Sequence, residues 1–185
     1  NDMIPVRNYV SQGVYNRFKL QLELMIDEEK VRNILSDYKV LKISVTDLSN
    51  SASYKTLHAS IFACAKDATV PANATDDEMI KALDNAVKNA FYEVYSFTRK
   101  LGTKTNTKSN WLKGQCPNCG YVPDNFSETN KCPSCGSIYN SGEYDWVLSE
   151  ITQQEEWNPG SAEDIDGLAE LERQNMSINR EVIED

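Results

Sequence analysis

The sequence predicts an α+β fold in which helices pack on an antiparallel sheet, with a cysteine-rich insert between two of the strands. Apolar residues first recur at intervals of three and four, which is typical of helices, and later alternate with polar residues, which is typical of half-buried strands. Four of the five cysteines form two Cys-x-x-Cys pairs between the last two alternating runs. With 40% apolar content, the 185 residues suffice for one ordinary globular core.

The first predicted element is a helix from Gly13 to about Leu35. Its apolar residues recur at helical spacing and are interpreted as core: Val14, Phe18, Leu22, Met25 and Ile26. We expect the helical run to break near Asp27, whose side chain would cap a second short helix. The inward residues of that second helix would be Val31, Ile34 and Leu35.

Two alternating runs then predict an antiparallel hairpin. The first run is Lys39 to Leu48 and the second is Tyr54 to Ala65, with a stretch rich in serine and asparagine between them. Thr75, followed three residues later by Glu78, has the form of a capping box and predicts another short helix. The inward residues of this helix would be Met79, Ile80, Leu83 and Val87.

A third strand is expected over 91–100 and a fourth over 142–151, because both runs are aromatic or alternating. If these strands are neighbours, the segment between them is a long hairpin connection that carries a folded insert. We therefore expect a main domain over 1–157, interrupted by an insert over 111–140, called the ribbon below. The acidic residues 158–185 would form a linker or the start of a following domain.

The two cysteine pairs predict a metal site. Cys116 and Cys119 lie in Cys-Pro-Asn-Cys-Gly, and Cys132 and Cys135 lie in Cys-Pro-Ser-Cys-Gly. Two residues between the cysteines let both thiolates face one ion, and the following glycine permits a tight turn. Four thiolates leave no position for water or substrate, so the predicted cofactor is a structural zinc ion. Iron in the same sulfur cage and a pair of disulfides are the alternatives.

The ribbon is too small to have a core of its own, so metal binding is expected to supply most of the free energy that orders it. Apolar residues expected to cover the metal site and contact the sheet are Tyr121, Val122, Phe126, Ile138 and Tyr139. Cys64 lies in an apolar stretch and is interpreted as a small core residue.

Net charge argues against a general nucleic-acid-binding protein, because the formal charge is −9. One local group of basic residues leaves a nucleic-acid-binding ribbon as an alternative: Arg99, Lys100, Lys104, Lys108 and Lys113. No run of apolar residues is long enough for a membrane-spanning helix.

Few residues indicate catalysis, and no catalytic residue is assigned. His58 is the single histidine. A polar pocket in which His58 meets Glu143 and Asp145 would support an enzyme or a small-ligand-binding domain, and this is a second alternative. We expect a non-enzymatic binding or scaffold domain, and no small-molecule substrate is identified.

The motifs taken together resemble the bacterial Tim forty-four-like domain, whose fold is similar to that of nuclear transport factor two. The resemblance covers roughly residues 5–157. It lies in the helix pair, the hairpin, the strand ending Phe97-Thr98-Arg99-Lys100, the tryptophan before the first cysteine pair, and the run Ser141-Gly142-Glu143-Tyr144-Asp145-Trp146-Val147-Leu148.

This resemblance implies a cone-like curved sheet with an apolar pocket, used to bind a protein or lipid partner at a membrane surface. The location would be membrane-associated or cytoplasmic. Two departures limit what the resemblance implies: the mitochondrial namesake of the family has no such ribbon, and we expect the usual first long helix to be either absent or truncated before Pro5. Because Gly167 to Leu171 is similar to the start of a further copy of the domain, we expect the natural protein to continue past Asp185, with any membrane anchor elsewhere.

Overall fold

A computed structural model describes residues 3–106, 108, 114–124 and 129–158 of the chain. Within these residues, four antiparallel strands form one sheet in the order β1-β2-β3-β4, with two α-helices and one short 3-10 helix. The elements are the 3-10 helix Ile4–Val6, α1 Gln12–Asp27, β1 Val31–Asn50, β2 Tyr54–Pro71, α2 Asp76–Asn85, β3 Lys88–Lys100 and β4 Val147–Gln153. The predicted α+β class and antiparallel sheet are confirmed.

The predicted hairpin of the first two strands is confirmed, and the third and fourth strands are neighbours. β1 and β2 form an antiparallel hairpin, and β3 pairs with both β2 and β4. Both strands of the hairpin are longer than predicted, because pairing continues outward to Val31 opposite Pro71. The ribbon therefore lies in the connection between two neighbouring strands.

The prediction of helix for residues 28–35 is wrong. α1 ends at Asp27, and Lys30 adopts a left-handed backbone conformation with φ of 58°. Val31, Ile34 and Leu35 then pair with the outer part of β2. β-branched residues are tolerated in helices but pack better in strands, and the availability of a paired partner decides between the two here.

α1 attaches to the sheet mainly through its first turns. Ser11 caps the helix by accepting a hydrogen bond from the Val14 amide at 3.2 Å. Val14 and Tyr15 are buried together with Val10, and Leu148 of β4 packs against this cluster. Further along the predicted core stripe, the side chains are only partly buried: Phe18, Leu22, Met25 and Ile26.

One face of the sheet, which we call the apolar face, is buried on β2 and open on β1. Directly paired residues of neighbouring strands lie on the same face, and three such pairs define it. These pairs are Val40–Ala63, Ile43–Ile61 and Val45–Ala59. The β2 members are at most 8% exposed, whereas the β1 members are between 37% and 45% exposed. The β1 part of this face is therefore exposed to solvent.

α2 begins with the predicted capping box. The Thr75 hydroxyl accepts a hydrogen bond from the Glu78 amide, and the Glu78 carboxylate accepts one from the Thr75 amide at 2.8 Å. The prediction that Val87 faces inward is wrong, because α2 ends at Asn85 and Val87 is 72% exposed. Ile80, also predicted to face inward, is 57% exposed.

Replacing Thr75 with alanine should lower the free energy of unfolding by about 1 kcal/mol, because the first turn of α2 loses its side-chain cap. Urea denaturation of the variant and the wild type would measure the difference. Thr75→Ser is the matched control, since it keeps the hydroxyl and should remain close to wild type. A Thr75→Ser variant as unstable as Thr75→Ala would show that the lost methyl group matters and the cap does not.

β4 begins later than predicted, at Val147 instead of Gly142. Gly142 has a φ of 77°, and a Cβ atom there would lie 3.2 Å from the Thr98 carbonyl oxygen. This backbone turns before the strand can start, so the residues leading up to Val147 form a bend at the base of the ribbon. Predictions for Trp111, Lys113, Phe126 and residues 159–185 lie outside the described residues.

Candidate metal centre

The fold brings the four predicted cysteines together. The sulfur atoms of Cys116, Cys119, Cys132 and Cys135 all lie within 4.8 Å of one another. Two of these separations are 3.7 Å, between Cys116 and Cys135, and 3.8 Å, between Cys119 and Cys132. A zinc ion with four sulfur ligands at 2.3 Å has sulfur–sulfur edges of about 3.8 Å, so the cluster has the size of a tetrahedral site. The separations are too long for disulfide bonds.

Two backbone loops of nearly identical conformation position the sulfurs. In the first, the Gly120 amide donates to the Cys116 carbonyl, and the Cys116 amide donates to the Tyr121 carbonyl. The second loop repeats both bonds, with Gly136 and Ser137 in the equivalent places. Both glycines have positive φ, 77° and 74°, a conformation that costs glycine little. The repeated Cys-Pro-x-Cys-Gly sequence therefore folds as two equivalent half-sites.

Backbone amides point at the first sulfur of each loop. The amides of Asn118 and Cys119 hydrogen-bond to the Cys116 sulfur, and those of Ser134 and Cys135 bond to the Cys132 sulfur. Such bonds favour thiolates, which are the form that ligates metal. Burial nevertheless raises the pKa of Cys116, whereas hydrogen bonds from Ser137 lower the pKa of Cys135. The site thus combines the buried Cys116, whose pKa is raised, with the exposed Cys135, whose pKa is lowered.

The buried half of the cluster joins the ribbon to the sheet. Cys116 and Cys132 are at most 1% exposed and form one apolar cluster with Tyr139 and Val147, the first residue of β4. The Tyr139 side chain is fully buried and hydrogen-bonds to Cys132, and its pKa is raised by burial and by that bond. Of the predicted covering residues, Tyr139 fills that role, whereas three are substantially exposed: Tyr121, Val122 and Ile138.

Two polar residues next to the cysteines were missed by the sequence analysis. Ser137 is buried, and its hydroxyl lies 3.1 Å from the Cys135 sulfur. It also accepts hydrogen bonds from Asn118 at 2.8 Å and from the Tyr144 hydroxyl at 3.0 Å. Asn118 stands between the first two cysteines and Ser137 directly follows the second glycine, so their positions in the two motifs could have indicated contact across the site.

The bend that precedes β4 is fastened to the end of β3. Asp145 accepts hydrogen bonds from the Thr105 hydroxyl at 2.6 Å and from the Trp146 amide at 2.8 Å. The Arg99 guanidinium lies over the Trp146 ring, 4.4 Å from its centroid. Burial lowers the pKa of Arg99, and the Asp145 carboxylate partly offsets this effect. These residues give the Gly-Glu-Tyr-Asp-Trp motif a structural role at the base of the ribbon.

The described basic residues predicted to form one local group fall into two sets, those that make contacts at the base of the ribbon and those that are exposed. Arg99 is engaged by Trp146 as described, and Lys100 pairs with Glu143 at 3.2 Å. Lys104 and Lys108 are exposed. Two of the four described members thus take part in contacts at the base of the ribbon.

His58 is not brought together with Glu143 and Asp145. His58 lies on β2, directly opposite Ser96 of β3. Its Nδ1 is 2.8 Å from the Ser96 hydroxyl oxygen, and its Nε2 is 3.3 Å from that of Ser49. Burial lowers the pKa of His58, and the nearby Asp47 carboxylate partly offsets the effect. The proposed three-residue pocket is absent from the described part of the chain.

The lowered pKa of His58 makes stability depend on pH in a predictable direction. Below about pH 6.5 the unfolded chain takes up a proton at His58 more readily than the folded chain, so the free energy of unfolding should fall as the solution is acidified. Above that pH this contribution should be fully present and constant. Chemical denaturation of metal-loaded protein between about pH 5 and 7.5 would measure the slope, which His58→Gln should reduce. An unchanged slope in that variant would assign it to other groups.

Among the described residues, no helix is long and apolar enough to cross a membrane. Compared with protein-family models, curated proteins and solved structures, the chain finds no match.

Proposed function

We propose that this chain is a non-enzymatic binding or scaffold domain whose ribbon is held together by one structural zinc ion. The supporting observation is the cluster of four cysteine sulfurs at tetrahedral spacing, built from two equivalent loops. Four thiolates saturate a tetrahedral ion and leave no coordination position for a substrate. When bound, the ion supplies a cross-link between the two loops.

The position of the cluster in the fold favours a structural role. Two of the four ligands lie in the apolar cluster with Tyr139 and Val147, so the metal is continuous with the packing between ribbon and sheet. A catalytic metal centre would need a ligand position open to solvent and substrate. The two exposed sulfurs, those of Cys119 and Cys135, are instead both close to the other ligands in a closed set.

Metal analysis of the reduced, purified chain tests this proposal directly. We expect one equivalent of zinc per chain, and a colourless protein, since zinc has a filled d shell. One equivalent of iron with the visible absorption of ferric thiolate would support the structural metal site and would identify its ion as iron instead of zinc. Less than one equivalent of any metal in fully reduced protein would overturn the proposal.

The apolar face supports a role in binding. Val40, Ile43 and Val45 are exposed side by side on the edge strand β1, next to the buried residues of β2. Contiguous exposed apolar residues on a soluble fold are typical of interaction surfaces. The net charge of −9 disfavours direct attraction to an anionic lipid surface. We therefore propose a protein partner at a membrane surface, in keeping with the family resemblance.

Sedimentation with membranes tests the binding proposal. The chain would be mixed with native membranes, with the same membranes stripped by protease, and with vesicles made from the extracted lipids. Binding to the first preparation alone is expected, and Ile43→Lys should weaken it whereas Ile80→Lys, on α2, should not. Equal binding to the lipid vesicles would show that the partner is lipid and not protein. No binding to any preparation would overturn the proposed membrane association.

A further inference from the structure

The ribbon holds the segment that precedes α1, called the N-terminal arm below (residues 3–11). Asn140, at the end of the ribbon, is buried with 5% of its surface exposed. Its side-chain amide donates hydrogen bonds to the carbonyl oxygens of Val10 at 2.9 Å and Arg7 at 3.3 Å. The residue is therefore aimed at the arm, which is distant in sequence, and it satisfies two backbone acceptors there.

Asn140 is in turn positioned by the second cysteine loop. Asn130 donates to the Asn140 side-chain oxygen at 3.1 Å, and its amide group also lies 3.1 Å from the side-chain oxygen of Gln12, the first residue of α1. The Tyr139 amide donates to the Asn130 carbonyl at 2.7 Å, and Lys131 pairs with Ile138. These residues form the stem of the loop that contains Cys132 and Cys135. We expect this stem to be well ordered only when the metal is bound, because small metal-binding loops fold together with their metal.

The arm positions α1 on the sheet. The Leu148 amide donates to the Tyr9 carbonyl at 3.0 Å, and the Ser11 amide donates to the Leu148 carbonyl at 2.8 Å. Ser11 is also the cap of α1, and Val10 belongs to the apolar cluster that α1 completes. A displaced arm would therefore remove the helix cap and the packing of the first helical turns together.

We propose that metal binding in the ribbon and docking of α1 are thermodynamically linked through Asn140. The metal orders the loop stem, the stem presents Asn140, and Asn140 fixes the arm from which α1 begins. Removal of the metal then releases α1 from the sheet and exposes the apolar residues that it covers. This inference rests on the proposed structural metal, and it assigns to that metal control over a surface outside the ribbon.

Linkage of this kind is reciprocal. If the metal favours docked α1 by a given factor, docked α1 favours metal binding by the same factor. Couplings between sites are typically about 5- to 150-fold, so we expect at least about a tenfold effect in each direction. The alternative is that the hydrogen bonds to Leu148 fix the arm alone, in which case the metal would have no influence on α1.

Hydrogen exchange on the full chain tests the forward direction. Amide exchange in α1 would be compared in zinc-loaded and chelator-treated protein, and chelation should speed it at least about tenfold. In Asn140→Asp, which keeps the side-chain oxygen and loses the donor, α1 should exchange rapidly even with zinc bound. Ribbon amides should still respond to chelation in that variant, which shows that the ligands remain intact.

Three outcomes separate the hypotheses. A chain that binds no metal refutes the proposed structural zinc itself. A chain that binds zinc, and whose α1 exchange is unchanged by chelation, refutes the linkage and leaves the zinc site. Unchanged α1 exchange in zinc-loaded Asn140→Asp refutes the route through Asn140.

Metal affinity tests the reverse direction without touching the ribbon. Val14→Ala weakens the packing of α1 and should lower zinc affinity at least about tenfold in competition with a chromophoric chelator. Ile80→Ala on α2 is the matched control and should leave affinity unchanged. Equal zinc affinity in Val14→Ala and wild type, with α1 shown to be loosened by hydrogen exchange, would overturn the linkage.

Discussion

Replacing Cys132 with serine is expected to abolish stable metal binding and to disorder the ribbon. Cys132 is 1% exposed, and its sulfur lies 3.8 Å from that of Cys119 within the cluster. Structural zinc sites contribute about 10 kcal/mol or more to the folding of small loops, and a serine hydroxyl is a poor ligand for zinc. Metal content by mass spectrometry and hydrogen exchange across the ribbon would measure both effects.

Cys64→Ser is the control for this experiment, because Cys64 is a partly buried cysteine on β2 and lies outside the cluster. It should keep one metal ion per chain. Strands β1, β2 and β3 should retain slow exchange in Cys132→Ser, since their pairing does not involve the ribbon. Equally rapid exchange in all strands would show that the ribbon is instead integral to the core of the sheet.

Replacing Tyr139 with alanine should produce the second largest loss of stability. Tyr139 is fully buried between the cysteines and Val147, and large-to-small changes of buried aromatic residues typically cost about 3 to 5 kcal/mol. The lost ring leaves a cavity where the ribbon meets the sheet, so the affinity for metal should fall as well. Chelator-induced unfolding followed by circular dichroism would measure the change.

Tyr121→Ala provides the comparison, because Tyr121 belongs to the first cysteine loop and is 42% exposed. It should have a much smaller effect. Tyr139→Phe keeps the ring and removes the hydroxyl that bonds to Cys132, which separates packing from hydrogen bonding. If Tyr139→Phe is as unstable as Tyr139→Ala, the hydroxyl and not the ring holds the ribbon in place.

The metal-site geometry was predictable because it is encoded locally. Each Cys-Pro-x-Cys-Gly unit specifies its own turn, and the two loops have the expected conformation. The capping box at Thr75 and Glu78 was predictable for the same reason. The strands followed from alternation and from aromatic or β-branched composition, and the sheet confirms all four, whereas the pairing of β2 with β3 was not predicted.

The predictions that were wrong or incomplete concern residues whose conformation depends on contacts with distant parts of the chain. Val31, Ile34 and Leu35 have spacing that suits a helix, yet they pair with β2 because that strand continues to Pro71. No local signal distinguishes these outcomes, since the partner lies far along the chain. Asn130 and Asn140 were missed similarly, because asparagines in a turn-rich segment are ordinarily read as loop residues, and their contact with the arm depends on the assembled fold.

The order of the strands in the sheet is the order of the strands in the chain, and this has a consequence for folding kinetics. β1 and β2 are joined by residues 51–53 and β2 and β3 by residues 72–87, which contain α2, whereas β4 must return across the longer segment 101–146. Closing a loop of that length carries an entropic cost that slows the search. An ion captured early by the four thiols shortens the effective loop, so we expect refolding with zinc present to be faster in its final phase.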